Sequence, residues 1–305
     1  MSVSFVAALN AAQAAAASQD YPQGALYVVA TPIGNLADIS LRALHVLSLC
    51  DTLACEDTRH SQSLLRAYGI EASHKQWLAL HQHNEAQASE EVIRRLQAGQ
   101  RVAYLSDAGT PAVSDPGARL VWQIQAVGLR CVPIPGASSI TSLLSCAGTP
   151  SPEVSGFVFV GFLPAKGQER ESALAQLATE TRAQLLLEAP HRISQLAQSL
   201  ERLGERELTI GRELTKQFEE VATVPARAFS NWLETSAHRT KGEFVVLVHA
   251  QSAPAAREDQ HDALLTLLME ELPMKSAVKI ATEITHAPRN QLYERALWLR
   301  GNEKT

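Results

Sequence analysis

Ala103 to Gly117 reads AYLSDAGTPAVSDPG, and the reading of that stretch decides the fold. Upstream, Gln100 to Leu105 is a short apolar run after Gly99, the pattern of an internal strand in a parallel sheet. Downstream, Ala118 to Ala126 reads as a helix. Between them crowd two Asp, two Gly, two Pro, two Ser and one Thr. Gly109 reaches backbone conformations closed to other residues, Pro111 and Pro116 fix φ, and Asp107 and Ser114 can bond nearby main chain. Loops at the carboxyl ends of strands are where open α/β sheets bind ligands, so a ligand site is expected here. The alternative is a plain strand-to-helix connection, but such connections are usually shorter and less crowded with special residues.

Working outward, 305 residues with 46% hydrophobic content hold about two domains and their cores. Cys50, Cys55, Cys131 and Cys146 form no CxxC pair, so buried thiols in a reducing compartment are expected. No apolar run has the length of a membrane span, and the segment through Asp20 lacks the Lys or Arg of a signal peptide. A cytoplasmic protein with no membrane partner is expected. The formal net charge of -5 argues against indiscriminate nucleic-acid binding but permits a local basic surface for a structured RNA.

Residues 1–23 are Ala-rich with too little apolar area to dock firmly, and are expected to form a disordered tail. Four segments follow from the pattern of strands and linkers: this tail, an N-terminal α/β domain over 24–149, a second α/β domain over 150–250, and a linker with a small helical module over 251–305. The first strand, Ala25 to Ala30, ends abruptly in Thr31, Pro32, Ile33, Gly34, Asn35 and Leu36. Asp38 or Ser40 can cap the helix that follows. A strand over Thr52 to Cys55 exits into Glu56, Asp57, Thr58, Arg59 and His60. That cluster either brings a carboxylate and a guanidinium to a cleft edge, or it is a helix cap at Asp57 or Thr58 with Arg59 paired to it. His81 and His83 alternate on one side of an extended segment, but nothing completes a metal site around them, and none is expected. After the strand Arg130 to Ile134 comes Pro135, Gly136, Ala137, Ser138 and Ser139, a helix start that offers backbone N–H groups and hydroxyls.

Beyond the Pro and Gly residues of Thr149 to Gly156 the rhythm changes. Strands are expected at Phe157 to Phe162, Gln184 to Glu188, Glu207 to Gly211 and Gly242 to His249, with helices over Gln168 to Leu177 and Arg192 to Leu203. The exits of two of these strands carry Pro190, His191 and Arg192, and Arg212 to Lys216. In the last segment, Ala253 to Met274 holds one arginine against five carboxylates, whereas Lys275 to Thr305 holds six cations against three. Apolar residues at helical spacing flank a break at Ala287 and Pro288. This is either a helix-turn-helix-like unit with a basic side or a packing hairpin.

No GxGxxG follows the first strand, and no GxxxxGK[ST] or GxSxG occurs, which argues against dinucleotide, P-loop and esterase chemistry. What is present is an ordered set: ATPIGNLADIS at Ala30 to Ser40, EDTR at Glu56 to Arg59, LSDAGTPAVSDPG at Leu105 to Gly117, PGAS at Pro135 to Ser138, GFLP at Gly161 to Pro164, APHR at Ala189 to Arg192, RELTK at Arg212 to Lys216 and GEFV at Gly242 to Val245. The set resembles the bacterial 16S rRNA (cytidine-2'-O)-methyltransferases, of the tetrapyrrole-methylase-like class of S-adenosylmethionine enzymes. It runs from about Gly24 to His249, and the C-terminal hairpin is similar to that family's helical extension. One departure is Glu188-Ala189 where the family pattern has Glu-Ser, which removes a hydroxyl.

The resemblance implies two α/β domains of the tetrapyrrole methylase type, with the S-adenosylmethionine site in the cleft between them, and a homodimer acting on 16S rRNA of the small ribosomal subunit. Carried over by motif, the donor is expected at Pro32, Ile33, Asp107, Ala108, Gly109, Val113, Ser114, Ser138 and Ser139, and in the second domain at Leu187, Leu214 and Glu243. The reaction implied is methyl transfer to a cytidine ribose 2'-hydroxyl in the decoding region. Candidate bases are Asp57 or Glu56, with His191 as a rival. Arg59, Arg192 and Lys216 are candidate phosphate or alkoxide contacts, and Lys275, Lys279, Arg289 and Arg295 are candidate RNA contacts. The competing readings are methylation of a small tetrapyrrole-like molecule and a non-catalytic donor-binding factor of ribosome assembly.

Overall fold

The computed structural model describes residues 5–81, 84–113, 117–149, 154–251 and 261–302. In chain order the first elements are α1 (Val6–Ala16), β1 (Ala25–Val29), α2 (Leu41–Leu49), β2 (Thr52–Cys55), α3 (Thr58–Tyr68), β3 (Gln76–Ala79), α4 (Glu85–Gln97), β4 (Val102–Leu105), α5 (Gly117–Ala126), β5 (Arg130–Ile134) and α6 (Ser139–Ala147). Then come β6 (Phe157–Phe162), α7 (Gly167–Thr179), β7 (Ala183–Glu188), α8 (Ile193–Leu200), β8 (Glu207–Arg212), β9 (Glu220–Pro225), α9 (Phe229–Glu234) and β10 (Phe244–Val248). The chain closes with α10 (Asp262–Glu271), α11 (Met274–Thr285) and α12 (Arg289–Asn302). It divides into two compact units: Met1–Thr149 with Phe157–Glu180 and Gln184–His249, and Pro150–Gly156 with Thr181–Ala183 and Ala250–Thr305.

The larger unit contains two five-stranded sheets. The first is parallel, in the order β3-β2-β4-β1-β5. Its inner strands β2 and β4 are buried at every residue, because helices cover both faces and no polar alternation is tolerated. Leu53, Ala103 and Leu105 enter the core on one face, and Ala54, Val102 and Tyr104 the core on the other. The second sheet has the order β6-β7-β10-β8-β9, with β10 antiparallel to both neighbours. Leu186, Ile210, Phe244 and Val246 pack under α8 and α9. The alternate positions, Gly211 and Val245 among them, face the other way, and Leu143 of α6 lies against them. A Cβ on Gly211 would come within 2.9 Å of Leu143 Cδ1, so the glycine is what allows α6 to seat on this sheet.

Three expectations change. The Ala-rich start is not structureless: α1 lies on α2, Ala12 and Ala16 are buried, and Phe5 meets the Tyr68 ring edge-on at 4.9 Å. Small side chains let this helix approach closely, so it docks through backbone proximity rather than through large apolar groups. The strands β3 and β9 were not expected; both are sheet edges whose partly exposed sequences lack a strong apolar run. Cys50 and Cys55 are buried, with burial pushing their thiols up to about 12 and about 11, but Cys146 is exposed.

The smaller unit's helices α10, α11 and α12 enclose Leu265, Val278, Ala281, Leu292 and Ala296. The turn expected at Ala287 and Pro288 does separate two helices, and α10 adds a third. Arg295 forms two bonds to Asp262, at 2.8 and 2.7 Å, and stacks 4.0 Å from the Trp298 ring centre. It therefore ties α12 to α10. Among the described residues no helix is long and apolar enough to cross a membrane.

The docking of α1 is testable by burying a charge under it. Ala12→Glu is expected to lower the unfolding free energy in urea by about 2 kcal/mol or more. An unchanged transition would mean that α1 does not pack on the first sheet's core.

Candidate active site

The loops at the carboxyl ends of β1, β4 and β5 are tied to one another by main-chain and hydroxyl bonds. Thr31 and Gly109 exchange two backbone bonds, of 2.9 Å from the Thr31 N–H and 3.1 Å from the Gly109 N–H. The Ser106 hydroxyl donates to the Gly109 carbonyl at 3.0 Å, and the Thr110 hydroxyl to the Ala137 carbonyl at 3.1 Å. Gly109 has φ of 81°, a conformation that favours glycine, and a Cβ there would lie 3.1 Å from Ile33 Cγ2, which would have to give way. Ser138 begins α6 without a side-chain cap bond, which leaves first-turn N–H groups of α6 for an outside acceptor.

Against these loops stands the exit of the second sheet. Glu213 and Thr215 have φ of 50° and 67°, uncommon for residues with side chains, and the turn they make carries Lys216. Lys216 Nζ donates to Glu213 at 2.8 Å and to Glu243 at 2.9 Å. Burial alone would lower its ammonium, but the two carboxylates outweigh this and hold it above its ordinary value. Burial would likewise raise Glu213, yet the bonds from Lys216 and from the Glu243 N–H hold its carboxyl below the usual range. The first sheet reaches this turn directly: the Asn35 N–H donates to the Thr215 hydroxyl at 3.1 Å, and a Cβ on Gly34 would lie 2.3 Å from Lys216 Cγ.

The loops enclose two adjoining chambers of about 180 and 340 Å³, which share Ile33, Ala108, Ser139 and Leu187. The smaller also holds Glu56, Asp107, Gly109, Val113 and Ser138. The larger holds Leu214, Lys216 and Glu243. The cavity thus gathers most of the expected donor contacts. Pro32 is buried beside it without lining it, and Ser114 lies outside the described residues, as does His83. Sequence reasoning missed Ser106, Thr110 and Ile140 in the smaller chamber, and Phe162, Glu188, Pro190, Gly211, Phe244 and Val245 in the larger. Several of these stand inside the quoted motifs, but no periodicity distinguishes a cavity wall from a core position.

Other expected residues have different tasks. Asp57 is the N-cap of α3, accepting from the Arg59 N–H at 2.8 Å, and its carboxylate pairs with the exposed Arg59 guanidinium at 3.3 Å. The side-chain bond from Arg59, with the backbone bond beside it, holds the Asp57 carboxyl below its ordinary value. Asp107 also accepts from the Asp57 N–H, at 3.4 Å. His191 is exposed and lines neither chamber. Arg192 braces the fold: its Nε pairs with Glu188 at 3.2 Å and its Nη2 donates to the Leu163 carbonyl at 2.6 Å. Lys275, Lys279 and Arg289 are exposed on the smaller unit. Removing the cation from the fully buried Glu188 side chain should cost stability. Arg192→Ala is expected to destabilise the fold by about 3 kcal/mol in a denaturant titration, and unchanged stability would return Arg192 to the solvent-facing role.

A sequence model described as Tetrapyrrole (Corrin/Porphyrin) Methylases matches residues 25–229, and one described as RsmI C-terminal HTH domain matches residues 255–300. The chain is 44% identical over 283 residues to Ribosomal RNA small subunit methyltransferase I of Pseudomonas aeruginosa, covering 91% of this chain and 98% of that one. Among solved structures it is similar to a cobalamin biosynthetic enzyme, cobalt precorrin-4 methyltransferase, with a TM-score of 0.55, 15% identity and coverage of 75% and 98%. It is also similar to uroporphyrin-III C-methyltransferase from Thermus thermophilus complexed with S-adenosyl homocysteine, with a TM-score of 0.50, 17% identity and coverage of 73% and 96%. At these identities the structural likeness establishes the fold, and the sequence likeness establishes the family. The chain belongs to the ribosomal RNA small subunit methyltransferase I family, on the fold of the tetrapyrrole methylases.

Proposed function

We propose that this methyltransferase, which takes its methyl group from S-adenosylmethionine, transfers it to the ribose 2'-hydroxyl of a cytidine in the decoding region of 16S rRNA, acting as a homodimer on the small ribosomal subunit. The observation that carries the reading is the pair of adjoining chambers built from strand-end loops of both sheets, in a chain that also bears the C-terminal helical unit matched as an HTH domain. A tetrapyrrole enzyme would use the same cavity but has no evident need for exposed Lys275, Lys279 and Arg289 on that unit.

The cavity suits the donor chemically. Glu56, Asp107, Glu188 and Glu243 stand on its walls against Lys216, a balance that favours a cationic sulfonium and ammonium. The α6 N-terminus, with Ser138 and Ser139, offers N–H and hydroxyl donors to a carboxylate. Leu187, Leu214 and Val245 give the larger chamber an apolar wall for a nucleobase, while Gly109 leaves space that a Cβ would fill. Bound there, S-adenosylmethionine supplies an already activated methyl group, so orientation of the acceptor hydroxyl accounts for much of the acceleration. Glu56 is the better placed base, because it lines the smaller chamber, whereas Asp57 caps α3 outside that lining and is held below its ordinary value by Arg59. Arg59, exposed at the exit of β2, is placed to meet a phosphate of the incoming RNA.

The direct test is transfer of labelled methyl to undermethylated small ribosomal subunits, with bare rRNA and a tetrapyrrole precursor in parallel. Label on a cytidine ribose is expected. Label only on the tetrapyrrole, or none despite donor binding, contradicts the proposal. In the same assay Arg59→Ala should lower kcat/KM for subunits roughly tenfold while donor affinity holds. Equal losses of both would move Arg59 into the donor site.

A further inference from the structure

We infer that Phe162 stacks on the nucleobase of the nucleotide whose ribose is methylated, an inference that rests on the rRNA reading above. Phe162 lines the larger chamber together with Pro190, Lys216 and Phe244, yet it is 53% exposed. Phe244 and Leu214 of the same chamber are 4% and 8% exposed. They belong to the floor, and Phe162 to the rim. The backbone turns locally beside it: Gly161, inside β6, has φ of 72°, and Leu163 on the other side of Phe162 is 2% exposed in the core of the second sheet. The position is also held firmly, since Arg192 Nη2 bonds the Leu163 carbonyl at 2.6 Å while its Nε pairs with buried Glu188. A half-exposed aromatic on a braced backbone loses little freedom when something stacks on it.

The rim position decides what that something is. The donor has an enclosed apolar wall in Leu187, Leu214 and Val245, so the exposed ring is left to the molecule that arrives from outside. A ribose whose 2'-hydroxyl reaches the methyl group carries its base only a few ångströms away. Proteins hold splayed single-stranded bases by stacking them on such aromatic faces. Lys216, on the same wall, adds a cation suited to the adjoining phosphate.

The test compares Phe162→Ala, Phe162→Leu and Phe162→Tyr with wild type, in steady-state methylation of undermethylated small subunits and in calorimetric binding of S-adenosylhomocysteine. Ala and Leu are expected to lower kcat/KM for subunits roughly tenfold or more, Tyr to restore it, and donor affinity to stay unchanged in all three. A parallel loss of donor affinity would place the ring in the donor site and overturn the inference. So would a Leu variant as active as wild type, which would show that any apolar group suffices. A wild-type enzyme that leaves rRNA unlabelled overturns the rRNA reading itself, whereas an active wild type with an equally active Leu variant overturns this inference alone.

Discussion

Thr31 and Gly109 exchange a pair of backbone hydrogen bonds across the ends of two neighbouring parallel strands, and the cavity depends on that short bridge. Strand-end loops rich in Gly, Pro and Ser have many conformations, and a ligand that had to order them would lose affinity in doing so. Here β1 and β4 set the spacing of the two loop origins, the bridge fixes their tips, and Ser106 and Thr110 extend the ties to the Gly109 carbonyl and to the third loop. Glycine at 109 suits the bridge, because its φ is positive and a Cβ would press on Ile33. The wall that faces Asp107, Ala108 and Ser139 is therefore formed before any ligand enters.

The second sheet is joined to this wall in two places. Leu143 of α6 seats against Gly211 and Val245, and the Glu213 to Lys216 turn reaches Gly34 and Asn35. The first contact is apolar and buried. The second is polar and strained, with Lys216 shared between two carboxylates. Because Glu213 is depressed and Lys216 raised, the pair favours the folded state between the ordinary carboxylate and lysine pKa ranges, roughly pH 5 to 10. Its contribution is lost as pH falls through the Glu213 value or rises through the Lys216 value. Cavity geometry should accordingly be insensitive to pH over the range in which a methyltransferase works.

Much of this architecture was legible in the sequence, for a physical reason. Where a parallel strand ends, the chain must turn while exposing backbone, and the residues that permit this are few; Thr31 to Gly34, Ser106 to Gly109 and Pro135 to Ser139 therefore stand out. The apolar runs of β1, β2 and β4 stand out for the complementary reason, being covered on both faces. What stayed hidden depends on partners far away in the chain. Ala12 and Ala16 read as weak until α2 is placed beside them, and neither the Asp262 partner of Arg295 nor the Glu188 and Leu163 partners of Arg192 can be read from sequence spacing. Phe162 reads as one more strand residue, since only the closed cavity distinguishes its rim from its floor.

The central claim is that loops of both sheets form one donor site, and hydrogen exchange with and without S-adenosylhomocysteine tests it most directly. The ligand is expected to slow exchange together at residues 31–34, 106–113 and 137–140 of the first sheet and at 213–216 and 243–245 of the second. Protection confined to one sheet's loops would contradict it.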